Sequence, residues 1–381
     1  MKKKTEILHA AAARDELTGA LSIPVYHAST YHQSDIEKKQ SWEYGRSGNP
    51  TRDELEKLLA SLEGADGGFA FSSGMAALTA ALTSFTRSGD HIVAARDIYG
   101  GTYRLLTTYL DKFGVTCTFA DTTDPQSVEM AIEKNTSILL LETPSNPLLK
   151  ITDISTMVSI AKKHNLLTII DNTFLTPYLF RPLDLGIDIS VHSATKFLGG
   201  HSDLIAGAVM TKLPEQTRAV RKVQNTCGSI LSPNDSWLLT RGIKTLSARM
   251  DAQCRSAEAL AQWLSGQAWA SQVLYPGLSS HRGHHIISTQ ASGFGAVVSV
   301  KTDTVERAIK IMKQVKIWNV AVSLGGVESI LSYPRTMSHA AIPTSERQQL
   351  GITDNLIRLS VGLEDIDDLI GDLKNAANQE A

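Results

Sequence analysis

The chain has 381 residues, 42% hydrophobic and 20% charged, which suits one large globular domain with a smaller companion. Its 37 basic and 39 acidic residues leave a net charge of -2, which gives no electrostatic basis for a nucleic-acid or anionic-membrane partner. Three cysteines (Cys117, Cys227, Cys254) without CxxC spacing suggest neither a disulfide framework nor a zinc site.

The basic start MKKKTEILHAAAARDELTG has no long apolar core and is interrupted by Asp15 and Glu16, so neither a signal peptide nor a transit peptide is expected. No apolar run approaches the length of a membrane span, and a cytoplasmic location is expected. His284 and His285 lack partners at ligand spacing, so no metal is expected. Residues 1–49 show little periodicity and read as an extended N-terminal arm. Thr51 to Glu54 fits a capping box, and Leu55, Leu58, Leu59 and Leu62 then follow helical spacing up to Gly64.

Short apolar runs then alternate with helical stretches: GFAFSS before GMAALTAAL, HIVAA before Tyr99-Gly-Gly, then VTCTFA, SILLLE, LLTIID, IDISVH and IAGAVM. This alternation predicts an α/β large domain over residues 50–245, with a mostly parallel sheet covered on both faces. Its sites are expected at the carboxyl ends of the strands. Amphipathic helices such as RSAEALAQWLSG, with occasional strands such as GAVVSV, predict a smaller C-terminal α+β domain over 246–381.

Five features stand out, four of them at predicted strand ends. Lys196, in VHSATKFLGGH, follows a strand and lies between a Ser/Thr pair, Ser193 and Thr195, and a double glycine. Asp171 ends LLTIID. FSSGMAA turns from strand to helix at Gly74, offering free N–H groups to an anion. Tyr99 follows another strand, and Arg358 interrupts the apolar NLIRLSVG. Each alone is ordinary: a solvated lysine, a turn-forming aspartate, a turn tyrosine, a surface arginine. Together they match the needs of pyridoxal 5'-phosphate, which takes an amine, an acid opposite its ring nitrogen, an anion cradle and a stacking partner. An amino-acid substrate adds a carboxylate clamp.

The wording of the motifs resembles the Cys/Met metabolism family of pyridoxal-phosphate enzymes, over about residues 20–375. WEYGRSGNPTR, FSSGMAAL, YGGTYRL, LETPSNPL, DNTFLTP, HSATKFLGGHSD, SWLLTRGIKTL and SLGGVES occur in family order. The resemblance implies a fold-type I, PLP-dependent transferase-like architecture. It implies that Lys196 is the Schiff-base lysine and Asp171 the partner of the pyridine nitrogen. Gly74 and Met75 through backbone N–H, with Ser193 and Thr195 through hydroxyls, are implied as the phosphate cradle, and Tyr99 as the ring-stacking residue. Tyr44 and Arg46 are implied to reach the phosphate of a neighbouring subunit, hence a homo-oligomer, a dimer of dimers. Asn146, Ser323 and Arg358 are implied to hold a small sulfur amino-acid substrate.

The expected reaction is carbon–sulfur bond cleavage by β-elimination, taking cystathionine to homocysteine, pyruvate and ammonia in methionine synthesis. Lys196 is expected to remove the Cα proton, and Lys196 or Tyr99 to protonate the departing sulfur. The family also contains γ-elimination and γ-replacement enzymes, and many of these carry glutamate where this chain has Val322. The ILSYP and TMSHAA wording resembles bacterial cystathionine β-lyases of the Gram-positive type. β-Lyases of another subgroup carry tryptophan where Leu324 stands. A non-catalytic binding protein on the same fold is the alternative from another class; no GxGxxG supports a dinucleotide enzyme.

Overall fold

The computed structural model describes residues 1–10, 14–15, 17–340 and 344–378. The apolar runs form seven strands of one sheet: β1 (Gly67–Phe71), β2 (His91–Ala95), β3 (Thr116–Ala120), β4 (Thr136–Glu142), β5 (Leu167–Asp171), β6 (Ile189–His192) and β7 (Gly207–Thr211). Their order is β1-β7-β6-β5-β4-β2-β3. Only β7 runs antiparallel to its neighbours in this sheet; the other pairs are parallel, as the near-continuous hydrophobic runs predict. Register places Glu142 beside Asp171, and Asp171 beside Val191, so three strand ends open at one edge.

A second sheet, β10-β11-β12-β9-β8, follows the long helix Leu246–Ser265. It comprises β8 (Ala270–Leu274), β9 (Val297–Thr302), β10 (Asn319–Val320), β11 (Ile330–Ser332) and β12 (Leu356–Ser360). One apolar core runs from the helix Pro50–Glu63 through Met250, Leu260 and Leu264 to Val298 and Leu359, joining the two sheets. Another packs Leu78, Leu82 and Leu106 against Ile92, Leu140 and Ile169 on the other face of the large sheet. Among the described residues no helix is long and apolar enough to cross a membrane.

Two local expectations are corrected. The helix starts at Pro50, and its cap is Asn49, whose side chain accepts from the N–H groups of Thr51 and Arg52. Thr51 instead donates its hydroxyl to the Pro24 carbonyl and accepts the Tyr26 N–H, tying the preceding segment to the helix. Proline suits the first helical turn, where its missing N–H is not needed. The N-terminal segment is not wholly extended either, since Lys3–His9 is helical and buries Ile7 in the shared core.

Candidate active site

The strand ends of the large sheet and the loops of the small one enclose a cavity of about 480 Å³. One wall is the start of the helix Gly74–Thr83. Ser73 caps it by accepting the Ala76 N–H, leaving the Gly74 and Met75 N–H groups without a partner among the described residues. A side chain at Gly74 would meet Ser193 Cβ at 2.8 Å and its Oγ at 2.9 Å, so glycine permits the serine to lie against the helix start. Two amides and a hydroxyl at a helix N-terminus favour an anion. Thr195 also lines the cavity, but its hydroxyl donates to the Ala206 carbonyl at 3.1 Å and accepts the Ala206 N–H at 3.0 Å.

On the floor, Asp171 Oδ1 accepts from the Thr173 N–H at 3.0 Å and hydroxyl at 2.5 Å, while the Ser193 N–H donates to that same threonine oxygen. Asp171 Oδ2 has no hydrogen-bond donor among the described residues. Burial raises the pKa of this carboxyl. Its neighbour Glu142 is pushed well above the usual carboxylate range, by burial first and by Asp171 second. A cation placed against Oδ2 would favour the charged form of Asp171. Glu142 Oε2 accepts the Tyr99 N–H at 3.0 Å, anchoring the turn that exposes the Tyr99 ring, 39% accessible, to the cavity.

Lys196 Nζ donates to Ser323 Oγ at 2.5 Å. Burial, with the nearby Arg358 charge, lowers its pKa to about 8, the direction that suits an amine serving as base or nucleophile. Ser323 is held at a φ of 89°. Beside it, a side chain at Gly325, φ 80°, would meet the Phe197 nitrogen at 2.7 Å and the Lys196 carbonyl carbon at 3.0 Å. That close approach presses the Ser323 loop onto the lysine turn. Arg249 holds the far side of this turn by donating to the Phe197, Leu198 and Gly242 carbonyls.

Arg358 enters from β12. Nη1 donates to Asn146 Oδ1 at 2.7 Å, and Nη2 donates to the Ser323 carbonyl at 2.7 Å and Ser332 Oγ at 3.1 Å. Nε is buried without a partner, and no carboxylate among the described residues pairs with this guanidinium. Burial lowers its pKa to about 10. A buried cation bonded only to neutral acceptors invites an incoming carboxylate.

The structure thus brings together Gly74, Met75, Tyr99, Asn146, Asp171, Ser193, Thr195, Lys196, Ser323 and Arg358 around one cavity. It does not bring Tyr44 or Arg46 there: both are exposed, and Arg46 bonds Asn225 near the end of the helix Pro214–Cys227. Sequence reasoning overlooked Glu142, Ser332, His339 and Arg104. Glu142 carries a readable signal, ending SILLLE as Asp171 ends LLTIID. His339 bonds the Asn146 carbonyl and Ser338, and burial followed by Arg358 lowers its pKa to about 4, keeping it neutral. Arg104 lines the cavity with no side-chain partner among the described residues.

A large mostly parallel sheet, a smaller sheet and a lysine–aspartate site of this kind define a fold-type I pyridoxal-phosphate enzyme. The family model described as Cys/Met metabolism PLP-dependent enzyme matches residues 4–378, and the chain belongs to that family. It is 49% identical over 376 residues to cystathionine gamma-lyase of Bacillus subtilis (strain 168), covering 99% of each. It is 47% identical over 378 residues to cystathionine beta-lyase of Lactococcus lactis subsp. cremoris, again covering 99% of each. The solved structure of cystathionine gamma-lyase from Lactobacillus plantarum complexed with L-serine superposes with a TM-score of 0.97 at 45% identity, over 99% of this chain and 98% of that one.

Pyridoxal phosphate is therefore the cofactor, and the cavity fits it. The open helix start suits its phosphate, the free Asp171 oxygen its ring nitrogen, and the Lys196 amine its aldehyde. When bound, it supplies a carbonyl for covalent attachment and an electron-withdrawing ring.

Proposed function

We propose that this chain is a carbon–sulfur lyase that cleaves cystathionine by β-elimination to homocysteine, pyruvate and ammonia in methionine synthesis. In this reading Gly74, Met75, Ser193 and Thr195 hold the cofactor phosphate, Asp171 its ring nitrogen and Tyr99 its face. Asn146, Ser323 and Arg358 hold the substrate's α-carboxylate. Lys196 takes the proton from the substrate's α-carbon, and Lys196 or Tyr99 returns one to the departing sulfur.

The observation that carries β- over γ-chemistry is Val322. It lines the cavity, 63% exposed, beside Ser323. The only carboxylates among the described lining residues are Glu142 and Asp171. Among the described lining residues there is thus no further acid to assist the additional proton transfers that γ-elimination requires. Arg104, a cation in the same cavity without a side-chain partner among the described residues, suits a substrate with a second carboxylate, as cystathionine has.

A second reading, γ-elimination, is favoured by the 49% identity to a protein named cystathionine gamma-lyase; γ-replacement, as in a cystathionine γ-synthase, is its variant. The deciding experiment feeds cystathionine to the purified enzyme and scores keto acid and thiol. Pyruvate with homocysteine supports the proposal. α-Ketobutyrate with cysteine replaces it with the second reading.

The proposal includes a cytoplasmic homo-oligomer, a dimer of dimers. Tyr44 and Arg46 lie outside their own chain's cavity and would complete the phosphate site of a neighbour. Exposed Leu17, Leu21, Ile36 and Trp42 along the same segment supply apolar surface for such a contact.

A further inference from the structure

Asn146 meets Arg358 through its side chain, and its backbone is held by a group outside the catalytic set. β11 ends at Ser332, whose hydroxyl accepts from Arg358 Nη2 at 3.1 Å. The chain then turns back on itself, with the Met337 N–H donating to the Tyr333 carbonyl and the His339 N–H to the Pro334 carbonyl. This turn seats against the one that carries Tyr99: a side chain at Gly100 would meet the Ser338 carbonyl oxygen at 2.6 Å. It also delivers the fully buried ring of His339, whose Nε2 lies 3.0 Å from the Asn146 carbonyl oxygen.

These bonds fix the tautomer. A carbonyl can only accept, so Nε2 carries the proton; Nδ1 is then bare and accepts from the Ser338 hydroxyl at 2.8 Å. Both ring nitrogens are satisfied, and burial with the nearby Arg358 charge keeps the ring neutral. Asn146 is held at a second point, where its Oδ1 accepts from Arg358 Nη1 at 2.7 Å. An arginine can only donate, which settles which amide atom is the oxygen. Nδ2 has no partner among the described residues and stays available at the cavity that Asn146 lines.

A plain tie between two loops would not need an imidazole. Lysine or arginine could also donate to the Asn146 carbonyl, but either would set a second cation beside Arg358 and compete for an incoming carboxylate. A neutral ring donates without adding charge.

We propose that His339 is a positioning residue for the substrate clamp: by holding the Asn146 carbonyl it sets the Asn146 side chain against Arg358, so that Nδ2 and the guanidinium meet one carboxylate together. The inference rests on the assignment of Asn146 and Arg358 to the substrate's α-carboxylate.

The test follows total keto acid released from cystathionine by the full-length chain loaded with pyridoxal phosphate. His339→Asn keeps an acceptor near the Nδ1 position and loses the donor to Asn146, whereas His339→Gln keeps a donor near the Nε2 position. His339→Asn is expected to raise KM on the order of tenfold, the worth of one buried hydrogen bond, with kcat close to wild type. His339→Gln should restore most of the loss. Asn146→Ala keeps the carbonyl that His339 bonds and removes the amide, so adding His339→Asn to it should raise KM no further. A wild-type KM in His339→Asn, equal losses in the Asn and Gln variants, or full additivity with Asn146→Ala overturns the proposal, since a general structural role shows no such dependence. Should His339→Asn not fold, Ser338→Ala releases the other ring nitrogen and is expected to raise KM by the same route; no rise, or a rise that persists in Asn146→Ala, overturns it equally. If Asn146→Ala itself has the wild-type KM, the assignment of Asn146 to the carboxylate fails and the inference with it. If Asn146→Ala raises KM while His339→Asn does not, only the role of His339 fails.

Discussion

Lys196 and Ser323 meet at 2.5 Å, joining a turn of the large sheet to a loop of the small one. Ser323 holds this position at a φ of 89°, a conformation costing on the order of 1–3 kcal/mol for a residue with a side chain. The Arg358 bond to its carbonyl and the tight packing of Gly325 offset that strain. The lysine is therefore presented as a half-buried amine facing the cavity rather than as a surface charge.

The first prediction concerns that amine. In the cofactor-free chain, acylation of Lys196 should rise through pH about 8, against an ordinary lysine value of 10.5. Mass spectrometry of the Lys196 peptide across pH reads the midpoint, and a midpoint above 10 contradicts the assignment. Between these two pH values the unfolded chain holds more protons at this site than the folded one, so this group's contribution to stability rises with pH. Borohydride reduction of the loaded enzyme should place the pyridoxyl label on the same peptide.

Glu142 offers a prediction with the opposite sign. Its carboxyl is protonated well above the usual range by burial and by Asp171. As pH rises past about 4.5, the unfolded chain releases this proton while the folded chain keeps it. Wild type should therefore lose stability relative to Glu142→Gln as pH increases. Glu142→Leu, which leaves the Tyr99 N–H without its acceptor, should cost about 1–3 kcal/mol. Thermal unfolding across pH checks both variants; parallel wild-type and Gln profiles would refute a neutral Glu142.

Arg358→Ala should reduce kcat/KM through substrate binding. A charge-assisted bond of about 1.5–3 kcal/mol corresponds to roughly ten- to a hundred-fold. Arg358→Lys should restore little, because one ammonium cannot reach Asn146, Ser323 and Ser332 together. Steady-state kinetics with cystathionine decides it, and a KM at the wild-type value in both variants would remove Arg358 from the clamp.

The subunit proposal is tested by mixing. Arg46→Ala and Lys196→Ala chains, each impaired alone, should regain activity when reassembled together, because one site in each mixed dimer then has both residues intact. No recovery, with mixed dimers demonstrated, would place Arg46 outside the neighbouring site.

Local chemistry was legible where it was local. Runs such as SILLLE and LLTIID announce buried parallel strands, and the polar residues ending them announce the open edge of the sheet. Lys196, Tyr99 and Gly74 could be marked because strand-to-loop turns carry them. His339 and Ser332 could not, because their partners Asn146 and Arg358 arrive from remote segments. The capping residue was misplaced for a related reason: Thr51 matches a capping pattern, yet its hydroxyl is engaged by Pro24 and Tyr26, across the fold rather than along the helix. Glu63 and His192 lie at a helix end and a strand end, and their contact at 2.8 Å joins segments far apart in the chain.

The placement of Arg358 on β12 bears on biosynthesis. Every residue proposed to hold the vitamin within this chain precedes residue 200, whereas the guanidinium proposed for the amino acid lies on β12, the last strand among the described residues. A polypeptide still emerging from the ribosome can carry the first group but lacks the second. Catalysis thus waits for β12 to be translated, and a product that terminates before it is left without its grip on substrate.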